Sequence, residues 1–132
     1  MKAAELSPIQ TFEDLECWKQ CRALRRFITE EIIPILPKEE RYRLGDQLVR
    51  AARSTTANIA EGYGRFHYLD NAKFCSNSRG SCWEVLDHLI DGHDERFISV
   101  ELLERGRALV AQAIKLLNGY MKYLKSANTA IK

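Results

Sequence analysis

The last third of the chain repeats small and apolar residues at a spacing that only one regular structure satisfies. Leu103, Gly106, Val110, Ala113, Leu117, Tyr120 and Leu124 recur at alternating steps of three and four, the period of one face of an α-helix. Beside them Leu102, Leu109, Leu116 and Tyr123 recur every seven residues. Two adjacent stripes make an apolar face wider than a two-helix seam needs, so the surplus is expected to meet another subunit. No segment alternates with the two-residue period of a half-buried strand, which makes the chain all-α.

Three further segments carry the same period. The first, about residues 12–33, places Cys17, Cys21, Leu24, Ile28 and Ile32 on one stripe and stops at Pro34, which lacks an N–H and clashes with the turn before it. The second, about residues 38–62, starts behind Pro37 with acidic Glu39 and Glu40 near its positive dipole end. Its inward stripe is Tyr42, Gly45, Val49, Ala52, Thr56, Ile59 and Tyr63, with Leu48, Thr55 and Gly62 beside it. So many small residues let a neighbouring backbone come close, and Gly62-Tyr63-Gly64 reads as a helix stop. The third, about residues 68–91, has Cys75, Ser78, Cys82, Val85 and Leu89 on one stripe, and Leu69, Ala72, Ser76, Arg79, Trp83, Leu86 and Ile90 on a second. A polar link from Asp91 to Arg96 leads to Ser99, an N-cap for the fourth helix at about residues 99–125, after which the tail is expected to fray. Four helices with short connections predict one domain over residues 1–132, an up-and-down antiparallel four-helix bundle.

Composition removes several function classes. A chain of 132 residues with 45% apolar and 29% charged residues is long enough for one core and too apolar for disorder. No apolar run approaches the roughly 18 residues of a membrane span, and the first residues lack the apolar core of a secretion signal. A cytoplasmic protein with no membrane partner is expected. Four cysteines at spacings of four and seven, Cys17 with Cys21 and Cys75 with Cys82, lack the Cys-x-x-Cys of a zinc or redox site and read as small buried thiols.

A search for catalytic chemistry finds no set of groups at a working spacing. Gly62-Tyr63-Gly64 has His67 where a phosphate loop needs a third glycine, and no strand precedes it. His88 and His93 are five apart and diverge on a helix, so with Asp91 and Asp94 they do not converge on a metal. Cys82 and His88 are six apart and point about 120° from each other. Glu30-Glu31 and Glu39-Glu40 sit at helix ends, where acids suit the dipole. No enzyme, cofactor, metal or small-molecule substrate is expected.

Charge is more informative. Twenty basic residues against eighteen acidic ones give only +2, too balanced for a generic polyanion binder. The balance is uneven along the chain. Residues 41–65 carry Arg41, Arg43, Arg50, Arg53 and Arg65 against two acids, and residues 99–132 carry six basic residues, among them Lys115, Lys122 and Lys125, against two. Residues 67–98 have three basic residues against six acids. These eight are the candidate nucleic-acid-binding residues, with Arg50 and Arg53 expected to be partly interior beside Val49 and Ala52. Clustered exposed aromatics are not evident, so duplex or otherwise structured RNA or DNA is expected over single strands.

Several strings also resemble a known family. Leu44-Gly45-Asp46-Gln47-Leu48-Val49-Arg50-Ala51-Ala52-Arg53-Ser54, then Ala57-Asn58-Ile59-Ala60-Glu61-Gly62-Tyr63-Gly64-Arg65, resemble the bacterial four-helix-bundle proteins encoded in intervening sequences of 23S ribosomal RNA genes. Phe12-Glu13-Asp14-Leu15-Glu16-Cys17-Trp18 is similar to that family's opening, and Arg79-Gly80-Ser81 with Glu84-Val85 to its third helix. The family is similar in fold to the accessory variability determinant of diversity-generating retroelements, a homopentamer that binds nucleic acid and a reverse transcriptase. The resemblance therefore implies a closed homopentameric barrel and a non-enzymatic role; it leaves the partner open between a reverse transcriptase of a diversity-generating retroelement, with structured RNA as ligand, and the setting of an rRNA intervening sequence. A protein–protein scaffold without nucleic acid stays open beside it. Within the motif strings Asn58, Glu61, Gly62 and Arg79 are structural candidates. Arg79, on an apolar stripe, is expected to find Glu61, Asp46 or a neighbouring subunit's acid, with Asn58 nearby.

Overall fold

A computed structural model describes residues 8–130. The N-terminal stretch read for targeting and Lys132 lie outside them. Four helices fill the chain: α1 at Glu16–Phe27, α2 at Leu44–Tyr63, α3 at Tyr68–Asp94 and α4 at Val100–Ala130, with no strand among the described residues. Neighbours in sequence pack side by side and α4 closes against α1, so the helices form a square antiparallel bundle. α2 against α3 is the most extensive pairing and α1 against α2 the least.

The ends differ from the sequence reading for local reasons. Phe12–Asp14 is a separate 3-10 turn capped by Thr11, and extended Leu15 delays the start of α1 to Glu16. Past Phe27 the helix widens into a π-turn, Ile28–Ile32, in which Ile33 donates five residues back to Ile28. Pro34 then ends it, as a residue without an N–H must. Lys38–Glu40 is another 3-10 turn, and α2 begins only at Leu44. The fold-back between them is tight: a Cβ on Gly45 would lie 3.1 Å from the Glu40 carbonyl oxygen. α3 continues to Asp94 through residues read as a polar link, because Ile98 folds over Gly92 and leaves 2.5 Å for any Cβ there. The chain leaves α3 through Arg96 at φ 67°, with Phe97 N–H on the Gly92 carbonyl at 2.8 Å and Arg96 N–H on the His93 carbonyl at 2.9 Å. That is a Schellman ending with arginine where glycine is usual. Ser99 accepts from Leu102 N–H as its N-cap role requires, and α4 runs on as helix to Ala130 instead of fraying after Ser126.

The stripes behave unequally. In α4, Leu103, Gly106, Val110, Ala113, Leu117 and Leu124 are buried as their period demands, while Met121 takes the buried place expected for Tyr120. The parallel stripe Leu102, Leu109 and Leu116 is half-buried against the same core, and Tyr123 is 60% exposed. In α2 the buried set is Leu44, Gly45, Leu48, Ala51, Ala52, Thr55, Thr56, Ile59 and Gly62, whereas Tyr42 is 84% exposed. The small face of α2 is thus consumed inside the bundle. The buried hydroxyls at this contact are satisfied, Thr55 donating to the Ala52 carbonyl of its own helix and Ser78 of α3 to the Thr55 carbonyl, both at 2.7 Å.

The expected helix stop holds, α2 ending at Tyr63 with Gly64 as its C-cap and the Gly62 carbonyl accepting from Arg65 N–H at 3.1 Å, and Gly62 is also a close contact with α3. A Cβ there would sit 2.8 Å from Phe74 Cβ and 3.0 Å from the Asn71 carbonyl oxygen, atoms that cannot swing away. Gly62→Ala gains helix propensity of about 1 kcal/mol, but must push the two helices apart, which typically costs about 1–3 kcal/mol. The expected result is a net loss, read as a lower urea midpoint at unchanged slope; a midpoint at or above the parent's contradicts the close contact.

Candidate nucleic-acid interface

The seam between α1 and α2 opens into two recesses. One, of about 560 Å³, is lined by Ile33, Pro34, Arg41, Tyr42, Asp46, Val49 and Arg53, Asp46 being the acid among them. The other, of about 330 Å³, is lined by Phe12, Trp18, Arg25, Arg53 and Thr56. Arg53 borders both, so they form one groove running from Trp18 to Tyr42. Arg25 is held by a 2.8 Å hydrogen bond from Nη1 to the Thr56 hydroxyl, and Arg22 lies over the Trp18 ring at 5.9 Å. Among the described residues no carboxylate comes within 4.0 Å of the Arg22, Arg25, Arg41 or Arg53 guanidinium.

The α1–α4 seam shows the opposite arrangement. Arg105 grips Glu31 with two bonds of 2.7 Å, Arg26 pairs with Glu30 at 2.9 Å, and Arg107 with Glu104 at 2.9 Å. The Arg105 hydrogen bonds hold the Glu31 carboxyl below the usual carboxylate range, and the same contact raises the Arg105 guanidinium. Cations on this side are already neutralised.

The eight sequence candidates do not form one patch. Arg41 and Arg53 share the groove, and Arg43 and Arg50 are exposed near it. Arg50 and Arg53 are both exposed, against the expectation of partial burial, because α2 turns its small residues inward and these outward. Arg65 is taken by Glu61 at 3.0 Å and stacks over Phe74 at 4.8 Å. Lys115, Lys122 and Lys125 lie along α4 with Asn118, whose Oδ1 accepts from Arg79 Nη1 at 2.7 Å. That contact puts this stripe on the α3–α4 side, across the bundle from the groove. Arg79 is half-buried and its partner within the chain is this amide; neither Glu61 nor Asp46 reaches it. Asn58 donates instead to the Ser54 carbonyl and hydroxyl, each at 2.9 Å.

Sequence reasoning missed Arg22 and Arg25. Acids at positions 13, 14, 16, 30 and 31 cancel their charge in any segment sum, although the three-residue spacing of the two arginines was readable. It also missed an aromatic cluster. Tyr120 and Tyr123 stack with ring centres 6.2 Å apart, and fully exposed Phe66 lies beside the same recess of about 240 Å³. The expectation of no exposed aromatic platform is therefore overturned: Phe66 and Tyr123 are distant in sequence and meet only in the fold.

A family model, that of the 23S rRNA-intervening sequence proteins, matches residues 13–119. The chain belongs to that family. No curated protein matches the chain. The family match contains the α1–α2 groove apart from Phe12 and ends before Tyr120, Lys122, Tyr123 and Lys125.

Two of the three histidines of this family member are engaged separately, His88 with Glu84 at 3.1 Å and His93 with the Ile98 carbonyl at 2.9 Å. Among the described residues no three His, Cys, Asp or Glu side chains are grouped to hold a metal ion. All four cysteines are buried free thiols, with Cys21 and Cys82 sulfurs 3.9 Å apart. Burial pushes the Cys17 and Cys75 thiols up to about 12, and the hydrogen bond to Cys21 together with burial raises Cys82. In the unfolded chain such thiols ionise near their ordinary value of 9. The unfolded state therefore sheds protons first: this stability is fully present below about pH 9 and is lost as pH rises toward 12. The denaturant midpoint should fall across that window, and Cys75→Ala should flatten the fall. Equal slopes for parent and variant would show that the thiol is not responsible.

Proposed function

We propose that this protein is a non-enzymatic, self-associating accessory that binds structured nucleic acid, RNA before DNA, along the α1–α2 groove. The carrying observation is the concentration of Arg25, Arg41 and Arg53 there with no acid within 4.0 Å, while the α1–α4 seam neutralises its own. Cations without partners repel one another, and a row of phosphates relieves that repulsion. Arginine is suited to it because its planar fork grips two phosphate oxygens. A net charge of +2 is no obstacle, since contact is made with the local groove. The name of the family, tied to intervening sequences of 23S rRNA, favours RNA. A reverse transcriptase acting on the same nucleic acid is the protein partner we retain.

Fluorescence anisotropy with a stem-loop RNA tests the reading. Arg41→Ala with Arg53→Ala should weaken binding by roughly tenfold or more and reduce the salt slope by about 2. Arg105→Ala, whose parent guanidinium is held by Glu31, should leave both unchanged. No binding at tens of micromolar, or binding indifferent to salt, overturns it.

Self-association has its own support on the α3–α4 face. Gly80 and Gly119 lie inside long helices next to the bonded pair Arg79 and Asn118, and a Cβ on either would meet nothing within 4 Å. A helix-interior glycine costs about 1 kcal/mol relative to alanine, and nothing among the described residues accounts for either. Trp83, one turn from Gly80, is 55% exposed. A second copy seated here would use the missing side chains for close approach and bury the indole. Repeated around a closed ring, such a contact builds a cyclic oligomer, which we propose is the homopentamer. Light scattering should find an oligomer that Gly80→Leu or Trp83→Ala reduces toward monomer; a parent that is monomeric at micromolar concentration overturns it.

A further inference from the structure

The bundle end where α1 and α3 begin holds the recess of about 240 Å³, which the groove has no part in. Pockets for drug-sized ligands run from roughly 300 to 1,000 Å³, so this one suits a single flat ring system. Its walls offer such a ring two kinds of contact. The faces come from Phe66 and from Tyr123, which is stacked on Tyr120 with planes 16° apart. The directional contact comes from Tyr120. Its hydroxyl accepts from Asn71 Nδ2 at 3.0 Å, and among the described residues its own proton has no acceptor. Asn71 is itself fixed, being buried with Oδ1 receiving the Cys75 thiol at 3.6 Å. Burial also pushes the Tyr120 hydroxyl up to about 12, so it stays an O–H donor at neutral pH.

Chemistry narrows the occupant. Arg65 borders the recess but is paired with Glu61, His67 is the other titratable nitrogen on its wall, and among the described residues no carboxylate lines it. Aromatic side chains to stack on and one O–H to donate to a ring-edge acceptor are what a nucleobase uses. We propose that this recess receives one unpaired nucleobase of a bound nucleic acid, stacked on Tyr123 and Phe66 and hydrogen-bonded by the Tyr120 hydroxyl. The inference rests on the nucleic-acid reading above and adds unpaired bases to its substrate class.

Two RNAs separate the sites: a blunt duplex, and the same duplex with a short single-stranded tail. The parent should bind the tailed RNA about tenfold more tightly, within the range that stacking one base supplies. Tyr123→Ala and Phe66→Ala, both at exposed positions, should abolish that preference and leave duplex affinity and its salt slope unchanged. Tyr120→Phe should reduce the preference several-fold. Equal affinity for both RNAs, or a variant that weakens both alike, overturns the inference while the groove reading stands. If neither RNA binds, the groove reading fails, and the recess is tested alone by titrating adenosine monophosphate against the Phe66, Tyr120 and Tyr123 ring resonances. Shifts confined to those rings support the inference, and no shift at millimolar nucleotide overturns it.

Discussion

The contact of α2 with α3 at Gly62 is the constraint on which the rest of the bundle depends. With a would-be Cβ only 2.8 Å from Phe74 Cβ, no other residue fits without separating the helices. The small residues of α2 follow from the same closeness, since Ala51, Ala52 and Thr55 must also lie between packed backbones. Asn71, whose carbonyl sits over Gly62, is thereby placed to reach Tyr120 on α4, so the helix contact and the aromatic recess share a residue. On its other side α2 meets the shorter α1, and the seam between them carries the groove.

Electrostatics divides the surface along the same lines. Exposed ion pairs such as Arg26 with Glu30 contribute about 0–1 kcal/mol each, so their weight lies less in stability than in what they leave over. By using its acids on the α1–α4 side, the bundle leaves the arginines of the α1–α2 side unmatched. A protein of net charge +2 can in this way present a concentrated basic groove. Sign and placement decide what the surface attracts, and the total conceals both.

The legibility of the sequence follows from the range of the interactions involved. The α4 stripe could be read because each buried residue reports the same neighbouring core at a fixed period, from Leu103 to Leu124. Pro34 as a stop and Ser99 as a cap were readable because they act on their own backbone. The beginning of α2 was misplaced because the Glu40–Gly45 fold-back depends on space beside Leu36 and Ile33, which no local rule describes. For the interface, Arg41 and Arg53 stood out by composition, but Arg25 was hidden among acids that turn to a different seam. Phe66 and Tyr123 are joined only by the antiparallel return of α4. Likewise Arg79 met Asn118 in place of a carboxylate, since the helix across from it presents an amide at that height.

The central claim is that unpaired arginines of one seam, and not the protein's basic residues in general, meet the ligand. Arginine Nε–H correlations in a nitrogen-15 NMR spectrum, recorded with and without a stem-loop RNA at low salt, test it most directly because each guanidinium reports for itself. Shifts or broadening are expected for Arg25, Arg41 and Arg53, with Arg26, Arg105 and Arg107 unmoved. Perturbation centred on Arg26 and Arg105, with the groove arginines silent, would contradict it.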